Sequence, residues 1–154
     1  MKRNVWMAFI LAPFLFAGCG KTDTECVPAT VASEKAAMVA YCTANNITYT
    51  EHASGILYEV MSPGLGTQPT VANTVSVVYT GKLLNGTQFD ATANPASLFL
   101  GQMIEGWKIG IPLIKKGGRI KLVIPSSLAY GCNGSGSIPA NSPLYFEVSL
   151  TDVR

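Results

Sequence analysis

Few side chains in this chain of 154 residues are placed for covalent chemistry. His52 is the single histidine, it stands between Glu51 and Ala53, and no Gly-x-Ser-x-Gly sequence is present. Hydrolysis by a serine, a histidine and an acid needs that histidine as a base beside an exposed serine. The sequence therefore argues against a hydrolase of this kind.

Redox, metal and phosphate chemistry have equally little support. The four cysteines, Cys19, Cys26, Cys42 and Cys132, are scattered and form no Cys-x-x-Cys pair, which disfavours a thioredoxin-like centre and a zinc site. No glycine-rich phosphate-binding sequence occurs either. We therefore expect no metal and no cofactor. What remains is a concave apolar site with a few polar groups, which suits binding or noncovalent catalysis.

The segment 104–118 is the part of the chain around which such a site would be built. Its apolar residues, among them Trp107, Ile109 and Ile111, are too dense for a solvated helix, and the segment is too short for a membrane span. We predict a short helix that is buried on most sides. Trp107 is then either a plain core side chain or a side chain with one ring face in a pocket.

Segments of alternating apolar and polar residues flank this helix on both sides. They predict strands at residues 54–60, 71–84, 87–90, 97–100, 120–124 and 144–153, with Asn85-Gly86 as a hairpin turn. Residues 126–141 form a long glycine-rich loop, and Val31–Ala44, followed by Asn45-Asn46, predicts a peripheral helix. The sequence thus predicts an α+β domain whose antiparallel sheet curls over one short central helix.

Five segments resemble, in order and spacing, the motifs of FKBP-type peptidyl-prolyl cis-trans isomerases. They are the run from Val77 to Asp90, then Ile104-Glu105-Gly106-Trp107, Leu128-Ala129-Tyr130-Gly131, Ile138-Pro139-Ala140-Asn141 and Leu144-Tyr145-Phe146-Glu147-Val148. The resemblance covers residues 54–153. It implies a half β-barrel of five to six antiparallel strands around the helix of Trp107, with the N-terminal helix as an extension.

The same resemblance implies a pocket for proline with Trp107 as its floor. The implied substrate-binding residues are Tyr79, Phe89, Asp90, Leu98, Met103, Ile104, Trp107, Tyr130, Ile138 and Phe146. Asp90 either orients Tyr79, meets the substrate carbonyl or caps the hairpin. Leu98 and Ala96 stand where the family usually has aromatic residues, so that wall of the pocket is expected to be shallower.

The implied activity is noncovalent rotation of X-Pro peptide bonds, which would assist the folding of exported proteins. The missing aromatic side chains at Ala96 and Leu98 leave an alternative open, a noncatalytic peptide-binding or chaperone module at the cell envelope. A third possibility is an envelope lipoprotein that interacts through its N-terminal helix. We expect a monomer whose partners are proline-containing segments of exported proteins.

The N-terminus has the pattern of a lipoprotein signal peptide. Basic residues precede the apolar stretch from Val5 to Phe16, and Ala17-Gly18 stand before Cys19. This resembles a bacterial lipobox, although Phe16 departs from the usual aliphatic residue. We expect Cys19 to carry a lipid that anchors the protein to a membrane. Gly20, in place of Asp, resembles the signal for sorting to the outer membrane, with the protein on its periplasmic or surface face. The alternative is ordinary cleavage, with Cys19 in a disulfide.

The expected organisation is a signal peptide at 1–18, a lipidated tether with a peripheral helix at 19–50, and an isomerase domain at 51–154. Removal of residues 1–18 leaves nine basic and nine acidic side chains, which argues against nucleic-acid binding. Cys26 and Cys42, which bracket the predicted helix, are the expected disulfide pair. Cys132 would then be an exposed thiol at the pocket rim, and its pairing with Cys26 or Cys42 is the competing interpretation.

Overall fold

The computed structural model describes residues 26–154, so the predicted signal peptide and Cys19 lie outside the described residues. The described part contains two α-helices and seven strands. They are α1 Val31–Ala44, β1 Thr50–Glu51, β2 Leu57–Ser62, β3 Thr74–Leu83, β4 Gln88–Ala91, β5 Ala96–Phe99, α2 Glu105–Gly110, β6 Arg119–Ile124 and β7 Leu144–Val153. Neither of these helices is long and apolar enough to cross a membrane.

All strand pairs are antiparallel and form one sheet in the order β1-β2-β6-β7-β3-β4, with β5 also paired to β3. The predicted α+β class and the antiparallel sheet around a short helix are confirmed. The sheet has seven strands rather than five to six. The additional strand, Thr50–Glu51, is only two residues long, too short for an alternating pattern to mark it.

Helix α2 lies against the concave face of the sheet, where Trp107 and Ile111 are buried. Two glycines of α2 permit this close packing. A Cβ atom at Gly110 would stand 2.7 Å from both δ carbons of Leu122, and a Cβ at Gly106 would meet Ile124. The observed helix α2 is shorter than the segment 104–118 for which the helix was predicted, because the chain leaves the α-helical geometry at Ile111-Pro112-Leu113.

Helix α1 covers the opposite, convex face of the sheet. Its buried side chains Met38 and Cys42 pack against Leu57, Val123 and Tyr145. Thr30 caps the start of the helix by accepting a hydrogen bond from the backbone N–H of Ser33 at 3.2 Å. At the other end Asn46 adopts a left-handed conformation with φ of 54°. The predicted peripheral helix is therefore confirmed, and it forms a second layer on the sheet.

The disulfide predicted between Cys26 and Cys42 is wrong. Cys26 is bonded to Cys132, and Cys42 is a fully buried free thiol on the inner face of α1. The two predicted partners lie before and near the end of a helix of 14 residues, which is about 21 Å long. That length far exceeds the reach of a disulfide. Cys132 is accordingly not a free thiol at the pocket rim, and its competing interpretation, a bond to Cys26, is the one observed.

Candidate active site

A cavity of about 140 Å³ opens between α2 and the concave face of the sheet. Nine side chains line it, most of them apolar: Tyr79, Phe89, Asp90, Leu98, Met103, Ile104, Trp107, Tyr130 and Phe146. The exposed Asp90 and Tyr130 lie at its mouth. All nine belong to the ten residues singled out from the sequence, so the structure brings these distant motifs together in one place.

Ile138 is the tenth residue, and it does not line the cavity. It is 7% exposed and belongs to the main core cluster, where its backbone forms a bridge with Ser135. Its side chain therefore packs in the core instead of contributing to the rim. Leu98 does line the cavity, whereas Ala96 does not.

Aromatic rings form the floor and two walls of the cavity. The indole ring of Trp107 meets Tyr79 edge-on, with centroids 5.1 Å apart, and meets Phe146 in the same manner at 5.3 Å. Phe89 packs edge-on against Phe146 at 5.6 Å. Edge-to-face contacts are a favoured geometry for aromatic pairs and hold each ring in one orientation. The floor is consequently built from rings that pack on one another within the protein itself.

Strand β3 explains why these rings meet. Its alternation places Val77, Tyr79 and Gly81 on the concave face, and Gly81 stands opposite both Asp90 and Phe146 in the sheet. A Cβ atom at Gly81 would lie 2.7 Å from the ring of Phe89 and 2.9 Å from that of Phe146. Glycine at this position therefore makes room for both rings. The sequence carried the signal, because a glycine inside a strand often marks a close approach.

The main polar contact in the cavity joins β3 to β4. The hydroxyl of Tyr79 donates a hydrogen bond to Oδ2 of Asp90 at 2.5 Å. Burial, and then the neighbouring Asp90, raise the pKa of Tyr79 to about 12, so the phenol is protonated and acts as a donor at neutral pH. The hairpin is instead capped by Asn85, whose Oδ1 accepts from the N–H of Thr87 at 2.9 Å. Of the interpretations of Asp90, the structure shows the contact with Tyr79.

Ile104 presents a second polar group at the cavity. Its carbonyl begins α2 by accepting from the N–H of Trp107 at 2.9 Å. Its own N–H has no hydrogen-bond partner among residues 26–154. The buried indole N–H of Trp107 is likewise without a partner in the described part of the chain. The cavity thus combines apolar walls with one backbone donor, the N–H of Ile104, that no group of the described residues uses.

Within residues 26–154, no group of three or more His, Cys, Asp or Glu side chains is close enough to hold a metal ion. The chemistry available at the cavity is therefore that of aromatic surfaces, hydrogen-bond donors and one carboxylate. Such a site can bind an apolar group and orient a neighbouring polar one without a covalent step.

Comparison with known proteins identifies the family of the chain. Residues 66–151 match the family model for FKBP-type peptidyl-prolyl cis-trans isomerases. Over 105 residues the chain is 46% identical to the FKBP-type peptidyl-prolyl cis-trans isomerase FkpA of Escherichia coli strain K12, covering 66% of this chain and 39% of that protein. The protein of the same name from Aeromonas hydrophila is 45% identical over 104 residues, with the same coverage of 66% and 39%. The chain therefore spans about two fifths of the length of these relatives.

Solved structures show the same likeness. The crystal structure of FkpA from Escherichia coli superimposes with a TM-score of 0.72 and 40% identity, covering 80% of this chain and 61% of that one. A peptidyl-prolyl cis-trans isomerase from Pseudomonas syringae pv. tomato gives a TM-score of 0.69 and 32% identity, covering 82% of this chain and 98% of that one. The match with the Pseudomonas syringae structure extends over nearly the whole length of that chain.

Proposed function

This chain belongs to the family of FKBP-type peptidyl-prolyl cis-trans isomerases, and on that premise we propose that it catalyses rotation about the peptide bond that precedes proline. The observation that carries the proposal is the cavity, in which eight residues from separate segments of the chain surround the ring of Trp107. A prolyl ring is small and apolar, and it matches the size and the lining of this site.

The reaction requires no nucleophile. Rotation about an X-Pro bond is slow because it breaks amide resonance, with a barrier of about 18–20 kcal/mol. A twisted amide has less resonance and less charge on its carbonyl oxygen than a planar one. An apolar site that excludes water tolerates the twisted form better than the planar form, and this difference lowers the barrier.

Each lining group has a proposed role. Trp107 would support the prolyl ring from below, with Tyr79, Phe89 and Phe146 around it. The free N–H of Ile104 and the hydroxyl of Tyr130 would hold carbonyls on either side of the rotating bond. Leu98 and Met103 complete the apolar wall. Asp90 would act by fixing the hydroxyl of Tyr79 over the site.

The cellular setting is also part of the proposal. The sequence Ala17-Gly18-Cys19 supports removal of residues 1–18, lipidation of Cys19 and attachment to a membrane of the cell envelope. Residues 19–50 would form the tether and the peripheral helix, and residues 51–154 the isomerase domain. The substrates would then be proline-containing segments of exported proteins, bound by a monomer.

The test is the cis-to-trans rate of an Ala-Leu-Pro-Phe peptide in the presence of the purified full chain. We expect acceleration by the wild type and its loss in Phe89→Ala, which removes a half-buried wall of the cavity and leaves the core intact. Val60→Ala, on an exposed position of β2, is the control and should retain full activity.

Two results would contradict the proposal. Full activity of both Phe89→Ala and Trp107→Ala would exclude this cavity as the site. Binding of the peptide by the folded wild type without any acceleration would favour the noncatalytic peptide-binding module, for which the missing aromatic side chains at Ala96 and Leu98 are the supporting observation.

A further inference from the structure

Residues 26–34, which we call the N-terminal strap, are attached to residues 126–141, the rim loop. The strap lies outside the region that matches the family model, residues 66–151. The rim loop carries Tyr130 at the mouth of the cavity. Contacts between them occur at the beginning, the middle and the end of the loop, so the strap holds the loop at three points, Ser126, Cys132 and Asn141.

The middle and the end of the rim loop are held near Cys26. The disulfide between Cys26 and Cys132 brings their Cα atoms to 5.5 Å. Asn141 then bonds the strap with both ends of its amide: Oδ1 accepts from the N–H of Ala29 at 2.9 Å, and Nδ2 donates to the carbonyl of Val27 at 3.0 Å. The amide of this one side chain thereby satisfies both a backbone donor and a backbone acceptor of the strap.

The beginning of the loop is held by a buried carboxylate. Glu34 on α1 accepts hydrogen bonds from the backbone N–H of Ser126 at 2.8 Å and from its hydroxyl at 2.5 Å. Glu34 is 7% exposed and Ser126 is 1% exposed. Water cannot readily replace either partner there, and loss of one would leave the other buried and unsatisfied.

These attachments add to the ties within the loop itself, which include two 3₁₀ turns, Ser126–Leu128 and Gly131–Asn133. Its internal backbone ties include the bridge between Ser135 and Ile138 and the bond from the N–H of Asn141 to the carbonyl of Gly131, at 2.8 Å. Tyr130 lies between the two points fixed by Glu34 and by the disulfide. Residues 31–34 of the strap form the first turn of α1, and this helix is packed on the sheet through Met38 and Cys42.

We propose that the N-terminal strap fixes the position of Tyr130, and that Glu34 is a positioning residue for the isomerase reaction, acting through Ser126. This inference rests on the proposed function for its kinetic part. The strap keeps the rim loop in the geometry in which the Tyr130 side chain borders the cavity. The loop is thereby ordered when the protein folds, so its conformational entropy is not lost again when substrate binds.

The test compares Glu34→Ala with Lys35→Ala in the full chain. Lys35 is the next residue of α1, and its ion pair with Glu51 is exposed and does not reach the loop. We expect Glu34→Ala to raise KM for the proline peptide and to lower kcat/KM about three- to tenfold, because it removes both buried hydrogen bonds to Ser126 and loosens the loop. Lys35→Ala should leave both values unchanged. A purely structural defect would instead reduce the folded fraction and lower kcat at constant KM.

A double-mutant cycle makes the test specific for Tyr130. In a Tyr130→Ala background the positioned side chain is absent, so Glu34→Ala should cost much less than it does in the wild type. If the two losses are fully additive, Glu34 does not act through Tyr130 and the proposal is overturned.

Hydrogen exchange of residues 126–141 supplies a readout that is independent of activity. Faster exchange in Glu34→Ala, with no change in the sheet, is expected even if the wild type proves to have no isomerase activity, so failure of the proposed function is recognised separately. Unchanged exchange of residues 126–141 would contradict the proposal that the strap holds the rim loop. The Cys26→Ser/Cys132→Ser double variant, which removes a tether outside the core, should give the same local loosening if Glu34→Ala does not fold.

Discussion

The hydroxyl of Tyr79 and the carboxylate of Asp90 are joined by a hydrogen bond of 2.5 Å that connects strands β3 and β4 over the cavity. The same tyrosine ring stands edge-on to Trp107. One residue therefore links the charged mouth of the cavity to its aromatic floor. The orientation of the Tyr79 ring is determined from both ends, by a ring contact and by an acceptor.

Replacement of Asp90 by Asn tests this link. The variant keeps the size of the side chain and loses the charge that strengthens the hydrogen bond from Tyr79. Hydrogen bonds to charged groups contribute about 1.5–3 kcal/mol, so we expect kcat/KM for a proline peptide to fall about tenfold. Gln88→Ala, on an exposed position of the same strand, is the control. An equal, small effect of both substitutions would show that the contact has no role in turnover.

Alkaline pH should destabilise the protein through ionisation of the same tyrosine. The pKa of Tyr79 is raised to about 12 by burial, above the value of about 10 in an unfolded chain. Its contribution to stability is therefore complete below pH 10 and is lost as the pH rises from 10 through 12. Burial also raises the pKa of Tyr145, so ionisation of this tyrosine at alkaline pH further lowers the stability of the fold.

The measurement is the free energy of unfolding in urea across this pH range, for the wild type and for two variants. We expect Tyr79→Phe to remove part of the decline, and Tyr145→Phe, on the other face of the sheet, to remove a separate part. A decline of unchanged slope in Tyr79→Phe would contradict the assignment.

Gly81 sets the space available to the rings of the cavity. Gly81→Ala would place a methyl group within 2.7 Å of Phe89 and 2.9 Å of Phe146, and such overpacking costs about 1–3 kcal/mol. We expect lower stability in urea together with lower isomerase activity, because Phe89 must move. Ser76→Ala on the same strand is the control. Full activity and full stability of Gly81→Ala would mean that the rings adapt without cost.

The cysteines give a prediction that needs no enzyme assay. Burial raises the pKa of the Cys42 thiol, and a protonated, enclosed thiol is a poor nucleophile. We expect a maleimide reagent to modify Cys42 only after unfolding, and a nonreducing digest to yield a peptide that links Cys26 to Cys132. Loss of this disulfide should lower stability by about 2–4 kcal/mol. A peptide linking Cys26 to Cys42 would refute the pairing.

Much of the fold could be predicted because its signals are local. The alternation in β3 and β7 and the Asn85-Gly86 turn are each contained in a few residues. The dense apolar segment around Trp107 likewise required a sheet to cover it. The two-residue strand β1 could not be predicted, since its pairing with β2 is imposed by the partner strand and not by a pattern of its own.

Prediction was weakest where a side chain depends on a distant neighbour. The motif places Ile138 at the pocket rim, yet its side chain packs in the main core cluster and does not line the cavity. The role of Glu34 was missed altogether. An acidic residue in the first turn of a helix is common at the surface, and only the approach of Ser126 makes this one buried and bonded.

The sequence by itself determined the family, the class of fold and the residues that surround the cavity, because these are encoded in motifs and in periodic patterns. The tertiary structure alone decided which cysteines pair, which face of α1 is buried and how the N-terminal strap meets the rim loop. The bond between Cys26 and Cys132 spans a sequence separation of 106. Such a contact depends on how whole elements pack, and no local pattern specifies it.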